Sequence, residues 1–182
     1  MSVEHHRILV RTAKAAEFPR IAALAGRIWR TCFPEMIPQA QIEYMLEQRY
    51  APAAMRAATL HGGLTYLIGL LDGQAVAYAA DGPGEAPGEW KLHQLYVDPE
   101  WQGVGIGRNL IAMIEHRARR HGAGVLVLTV NKANERARRL YERAGFAIRD
   151  AVVTDIGGGF VMDDYVMARP LAPAEGGVPP AA

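Results

Sequence analysis

The stretch LHQLYVDPEWQGVGIGRNLIAMI, Leu92 to Ile114, decides how the rest of the chain is read. It has the pattern of a strand, a short link, a glycine-rich turn and an amphipathic helix. Gly103, Gly105 and Gly107 fall on alternate positions just where the helix should begin. Glycine lets a backbone approach a ligand with no Cβ in the way. The first turn of a helix leaves N–H groups unpaired and carries the positive end of the dipole. Together these features predict an anion cradle suited to a phosphate or pyrophosphate.

Two familiar phosphate motifs do not fit. A P-loop ends in Gly-Lys-Ser/Thr, whereas this turn ends in Gly107-Arg108-Asn109. A dinucleotide fingerprint places GxGxxG directly after its strand. Here Asp98 to Gln102 intervene and the spacing is GxGxG. A turn with no ligand needs only one such glycine, and each extra one costs roughly 0.5–1 kcal/mol of helix stability relative to alanine.

Working outward, the pattern predicts a strand over 8–12 and a helix over 13–31, with Phe18, Ile21, Leu24, Ile28 and Trp29 on one face. FPEMIP at 33–38 breaks that helix, since proline does not sit in a helix interior. Helices follow over 39–50 and from Pro52 to about Leu60. Apolar runs at 64–71 and 74–80 flank Asp72-Gly73, a strong hairpin signal. DGPGEAPG, 81–88, reads as a loop. A strand over 89–97, a helix over 104–121, a buried strand over 125–130 and a helix over 134–144 come next. Two last strands, 146–154 and 160–168, flank DIGGG. The fold class is therefore α/β, with a single mixed, mostly antiparallel central sheet and helices on both faces. One domain is expected over 1–169, and a disordered Pro- and Ala-rich tail over 170–182.

Composition narrows the function classes. The 182 residues are half apolar and 21% charged, with a net charge of +1, so no overall basic excess points to nucleic acid. The single cysteine, Cys32, excludes an internal disulfide framework and CxxC chemistry, and reads as a small buried thiol. No His spacing suggests a metal site, and none is expected. No run reaches membrane-spanning length and the polar start lacks a signal-peptide core, so a cytoplasmic protein with no membrane partner is expected.

The stretch around Gln102-Gly103-Val104-Gly105-Ile106-Gly107 resembles the acetyl-CoA-binding motif of the GNAT acyltransferase superfamily, Gln/Arg-x-x-Gly-x-Gly/Ala. A second stretch, Asn131-Lys132-Ala133-Asn134 through Tyr141 to Gly145-Phe146, resembles that family's N-x-x-A-x-x-x-Y-x-x-x-G-F signature. The two occur in the family's order, and the element order of the whole chain before the tail also matches the GNAT fold. Leu95-Tyr96-Val97 with Val161 to Met167 is similar, more weakly, to bacterial spermidine/spermine-type acetyltransferases.

The resemblance implies an acetyl-CoA-dependent N-acetyltransferase with no metal and no covalent enzyme intermediate. Backbone N–H groups of Val104 to Arg108, in the motif from Gln102, would bind the CoA pyrophosphate. Leu95, Tyr96 and Val97 would lie along the pantetheine arm, where two central strands splay apart. An N–H near Val97 would polarise the thioester carbonyl. Asn131 and Asn134 match positions that contact pantetheine or hold the motif; for Asn134 a helix cap is the alternative. Tyr141 is the implied general acid for the leaving thiolate, with a core position as the alternative.

His93 stands where the family often has a general base, two residues before the LYV triplet. Regular alternation would place Lys91, His93, Leu95 and Val97 on one face of the strand. A histidine near 6.5 would take a proton from an ammonium near 10 at a cost of roughly 5 kcal/mol, so the pocket must lower the amine's pKa or a water relay must help. A hydrogen-bonded cleft histidine is the alternative. Arg136, Arg138, Arg139 and Arg143 read as a solvated face, or in part as contacts to the adenosine 3′-phosphate. Glu142, Asp163 and Asp164 could attract a cationic amine or simply be solvated. The expected acceptor is a small primary amine, polyamine-like by resemblance. A peptide or protein N-terminus is the main rival, and a non-catalytic acyl-CoA-binding module is a reading from another class. A homodimer is compatible with all three.

Overall fold

The computed structural model describes residues 8–172. A seven-stranded sheet runs through it in the order β1-β2-β3-β4-β5-β7-β6. The strands are β1 (Ile8–Thr12), β2 (Thr65–Leu71), β3 (Gln74–Pro83), β4 (Glu89–Val97), β5 (Val125–Asn131), β6 (Ala147–Gly157) and β7 (Phe160–Pro170). Every neighbouring pair is antiparallel except β4 and β5. The mixed, mostly antiparallel sheet expected from the pattern is present, with helices on both faces.

The helices are α1 (Phe18–Cys32), α2 (Gln39–Tyr50), α3 (Pro52–Gly62), α4 (Ile106–Arg120) and α5 (Glu135–Arg143). Helices α1 to α3 bury one face of the sheet around Ile21, Trp29, Ile42, Met45 and Met55. Helices α4 and α5 cover the other around Leu110, Ile114 and Tyr141. Apolar stripes at helical spacing on both sides of a two-sided sheet explain this layering.

Several boundaries moved for local reasons. Helix α1 starts at Phe18, not Ala13, because Pro19 fits the first helical turn and a short 3₁₀ turn at Ala15–Glu17 leads into it. The β2–β3 hairpin closes on Asp72 and Gly73, both at positive φ, as the Asp-Gly pair requires. The expected 81–88 loop is a correction: β3 continues through Asp81, Gly82 and Pro83. Asp81 is fully buried, and its carboxylate accepts from the Trp90 indole at 2.9 Å and from Arg117 Nε at 3.0 Å. A buried carboxylate is tolerable only with such partners, and neither is visible from a Gly/Pro-rich stretch. At the other end β7 runs to Pro170 and Leu171 is buried, its N–H donating to Gly124, so packing passes the expected edge at 169. The rest of the expected tail, 173–182, lies outside the described residues.

Strand β4 departs from the alternation assumed above. Gln94 pairs with Ala80 and Leu92 with Asp81, so His93 is an extra residue in β4 with no partner in β3. Such a bulge reverses the side-chain parity. Trp90 and Leu92 face α4 before it, and Leu95 and Val97 face α4 after it, while Tyr96 turns to the α1 side. Lys91 and Leu95 therefore do not share a face.

Candidate active site

The parallel ladder between β4 and β5 runs only from Glu89↔Val125 to Leu92↔Leu128. It stops at the bulge, and the two strands separate beyond it. β5 continues instead with β7, out to Asn131↔Asp164. On its other side β4 stays bonded to β3: the N–H of Asp98 donates to Val76 at 2.8 Å. In an antiparallel pair, backbone groups point alternately toward and away from the partner. With Asp98 and Tyr96 turned to β3, the N–H and C=O groups of Leu95 and Val97 point into the gap. The Val97 carbonyl is taken by Gln102 Nε2 at 2.9 Å. Its N–H faces the open space.

A cleft of about 1720 Å³ opens there. It brings together His93, Leu95, Tyr96, Val97, Gln102, Gly103, Gly105, Ile106, Gly107, Arg108, Asn131, Asn134 and Tyr141. Val104, Arg138, Glu142 and Asp163, also singled out from sequence, do not line it; the Val104 side chain is half exposed to solvent, so only its backbone counts here.

The glycines are used in two ways. Gly103 and Gly105 have φ of +88° and +91°, a conformation L side chains rarely adopt. Gly107 has an ordinary helical φ. A Cβ on it would lie 3.7 Å from Val97, 3.9 Å from Leu140 and 4.0 Å from Leu95, in the notch between β4 and α5. The first intrahelical bond of α4 is Asn109 N–H to Gly105 at 3.1 Å, and no side chain caps the end. The N–H groups of Ile106, Gly107 and Arg108 are left facing a notch with no Cβ. This is a fitting cradle for an anion.

The link into the cradle is held by a residue that pattern reading missed. Asp98 is buried; it binds Arg27 of α1 at 2.8 Å and accepts from the N–H of Glu100, capping the Pro99–Trp101 turn. Asp before Pro at a strand end is the signal that could have found it.

Tyr141 is buried on α5 against Phe146, at 5.8 Å between ring centroids, and lines the cleft. Burial, then the neighbouring Tyr96, push its phenol well above the ordinary range. It stays protonated, a standing hydrogen-bond donor. Tyr96 packs on Tyr78 and Trp29, and burial pushes it up to about 12.

Burial, then the charge of Lys91, pull the His93 imidazole down to about 4. The Pro83 backbone and Glu85 act against this and raise it. Nε2 is buried without a hydrogen-bond partner. The ring is neutral at pH 7, an acceptor rather than a strong base.

Asn134 caps α5: its Oδ1 accepts from Ala137 N–H at 3.1 Å. Asn131 Oδ1 similarly accepts from Ala133 N–H at 2.9 Å. Cys32, distant in sequence, also lines the cleft, but burial pushes its thiol up, away from the reactive thiolate. Arg136, Arg139 and Arg143 face the cleft, whereas Arg138 does not. Among the described residues no cluster of three or more His, Cys, Asp and Glu side chains could hold a metal, and no helix is long and apolar enough to cross a membrane.

Residues 25–146 match the model of the acetyltransferase (GNAT) family, and the chain belongs to that family. An uncharacterized N-acetyltransferase of Mycobacterium tuberculosis is 28% identical over 151 residues, covering 83% of this chain and 96% of that one. A mycothiol acetyltransferase of Propionibacterium freudenreichii is 38% identical over 91 residues, half of this chain. That match spans only 25% of the mycothiol enzyme's length. Among solved structures, a PaiA N-acetyltransferase from Thermoplasma acidophilum in complex with coenzyme A superposes with a TM-score of 0.77 at 18% identity, over 90% of this chain and 99% of that one. At that identity the likeness concerns the fold.

Proposed function

We propose that this member of the acetyltransferase (GNAT) family moves the acetyl group of acetyl-CoA directly to a small primary amine. The observation that carries the reading is the gap beyond the His93 bulge, where the Val97 N–H points into a cleft that ends at the glycine cradle.

In this reading the N–H groups of Val104 to Arg108 hold the CoA pyrophosphate, and Gln102, by anchoring the Val97 carbonyl, sets the link. Leu95, Tyr96 and Val97 lie along the pantetheine arm, with Asn131 and Asn134 on the opposite wall. The Val97 N–H donates to the thioester oxygen as negative charge develops there. One such donor is worth roughly 3–4 kcal/mol in comparable acyl transfers. Tyr141 donates a hydrogen bond to the departing sulfur. A phenol raised by burial gives its proton up reluctantly, so its first contribution is to stabilise the thiolate.

His93 takes a narrower part than general base. An ammonium near 10 handing its proton to a ring that titrates at about 4 costs roughly 8 kcal/mol. Its free Nε2 instead accepts a hydrogen bond from the amine and aims the nitrogen lone pair. The bound ammonium gives its proton to water at the mouth of the cleft, because desolvation, with the Lys91 and Arg49 charges that also act on His93 close by, lowers the amine's own pKa.

The test is release of free thiol from acetyl-CoA across a panel of amines, run with CoA binding by calorimetry. Thiol release that depends on an amine and falls in Tyr141→Phe is the expected result. Tight CoA binding with no thiol released on any amine or peptide would make the chain a non-catalytic acyl-CoA-binding module.

A further inference from the structure

Four polar atoms of cleft-lining residues are buried and have no partner: Gln102 Oε1 in the link to the cradle, and three outside that link, His93 Nε2 and Gln94 Oε1 on β4 and Asp164 Oδ1 on β7. Gln94 is 8% exposed and Asp164 9%. Each presents a lone pair. A buried acceptor left unpaired costs about 1–3 kcal/mol, and more when it is charged. Burial pushes the Asp164 carboxyl above its usual range, and Arg49 is the strongest influence opposing that. Three acceptors converging on one cavity fit a group with several N–H donors and a positive charge.

Arg49 supplies the second half. It stands in the last turn of α2, lines the same cleft, and has no hydrogen-bond or ion-pair partner among the described residues. Its charge is felt at His93, Tyr96 and Asp164. The other cations whose charge reaches Asp164 are already matched: Lys91 pairs with Glu85 at 3.0 Å, and Lys132 pairs with Asp163. Arg108, Arg136 and Arg143 also line the cleft, on α4 and α5, without an ion pair among the described residues; around Asp164 what remains is its unpartnered carboxylate oxygen and the Arg49 guanidinium. A polyamine would satisfy the first and place a second cation against the other. A peptide N-terminus has no adjacent carboxylate to offer.

The wall between them is apolar. The FPEMIP break after α1 turns Phe33, Met36 and Ile37 into the cleft, with Trp29 and Met45 behind them. Helix α2 is seated over the β6–β7 turn, where the Tyr44 hydroxyl donates to the Ile156 carbonyl at 2.9 Å and Gln41 Nε2 donates to Val161 at 2.8 Å. This holds Arg49 and Asp164 in one frame.

We infer that the acceptor is a free amino acid with an apolar side chain: its ammonium sits among His93, Gln94 and Asp164, and its carboxylate binds Arg49. This rests on the acetyl-transfer reading above for its chemistry, though not for its recognition. The guanidinium binds the carboxylate by paired N–H donors, a geometry that lysine does not reproduce.

The experiment measures thiol release with acetyl-CoA and apolar L-amino acids, their methyl esters, spermidine, and a short peptide amide. The expected result is a kcat/KM for the best amino acid at least tenfold above its ester and above spermidine. In Arg49→Met the preference for acid over ester falls to about unity, and Arg49→Lys restores it only in part. Equal turnover of acid and ester by the wild-type protein, or a preference for spermidine or the peptide, overturns the inference while leaving acetyl transfer standing. If no amine releases thiol, the transfer reading fails, and calorimetry of the CoA-loaded protein with the same amino acids decides the recognition: binding lost at least tenfold in Arg49→Met supports it, and no binding overturns it.

Discussion

Replacing Gly107 by alanine should make the protein more stable and a worse CoA binder, and the two effects have separate causes. Gly107 is the second residue of α4 with an ordinary helical φ, and a Cβ there meets nothing closer than 3.7 Å. Alanine is therefore accepted without strain, and gains up to roughly 0.5–1 kcal/mol through helix propensity. For a chain of this size that is an increase in Tm of about 1–4 °C. The same methyl lies in the notch toward Val97, Leu140 and Leu95. A ligand anion held by the N–H groups of Ile106 to Arg108 would be pushed outward, lengthening each hydrogen bond. A loss of about 1.4 kcal/mol is tenfold in Kd, and weakening two or three charge-assisted bonds should exceed that. Gly105→Ala is the contrast: at φ +91° it is strained by roughly 1–2 kcal/mol, so stability and binding should fall together. The assays are thermal unfolding and CoA titration calorimetry on both variants. A stabilised Gly107→Ala that binds CoA like the wild type would refute the cradle and leave the turn as helix-start architecture.

Three further outcomes follow from the same geometry. Tyr141→Phe should lower kcat by roughly 10²-fold, the lower end for a positioned proton donor; unchanged kcat in a stopped thiol assay would return Tyr141 to the core alone. His93 is neutral in the folded protein down to about pH 4, whereas in the unfolded chain it protonates near 6.5. Between those values the unfolded state binds more protons, so stability is present above 6.5 and drains away as pH falls toward 4. His93→Gln should flatten that part of the stability profile in denaturant titrations, and an unaltered slope would contradict the burial of the ring. Asp98→Ala removes a turn cap and the partner of Arg27. That guanidinium is half exposed, so the ion pair adds little and a loss of about 1–2 kcal/mol is expected, mostly from the cap. KM for acetyl-CoA should rise with it, because Asp98 fixes the link to the cradle; an unchanged KM would detach the link from cofactor binding.

Much of this molecule was legible from the chain alone because the deciding signals are local. Apolar spacing sets helices and strands within a turn or a pair of residues, Asp72-Gly73 sets the hairpin, and positive-φ glycines mark the start of α4. These set the mixed sheet with helices on both faces, and the two motif stretches, Gln102 to Gly107 and Asn131 to Phe146, carried the resemblance to the family. The proposed acceptor end was only partly legible: His93 stands two residues before the LYV triplet, but Arg49 on α2, Gln94 on β4 and Asp164 on β7 are far apart in sequence and come to one cleft only in the fold. From sequence Asp164 reads more readily as a solvated surface acid, and only packing shows that it is buried. The bulge at His93 was hidden for a related reason. Strand parity assumes regular pairing, and an extra residue is visible only against the partner strand. That one residue ends the β4–β5 ladder and opens the gap at Val97. Local sequence determined where an anion can be held; the tertiary pairing of β4 decided that a reacting group can reach it, because a backbone N–H becomes available only where a neighbouring strand is missing.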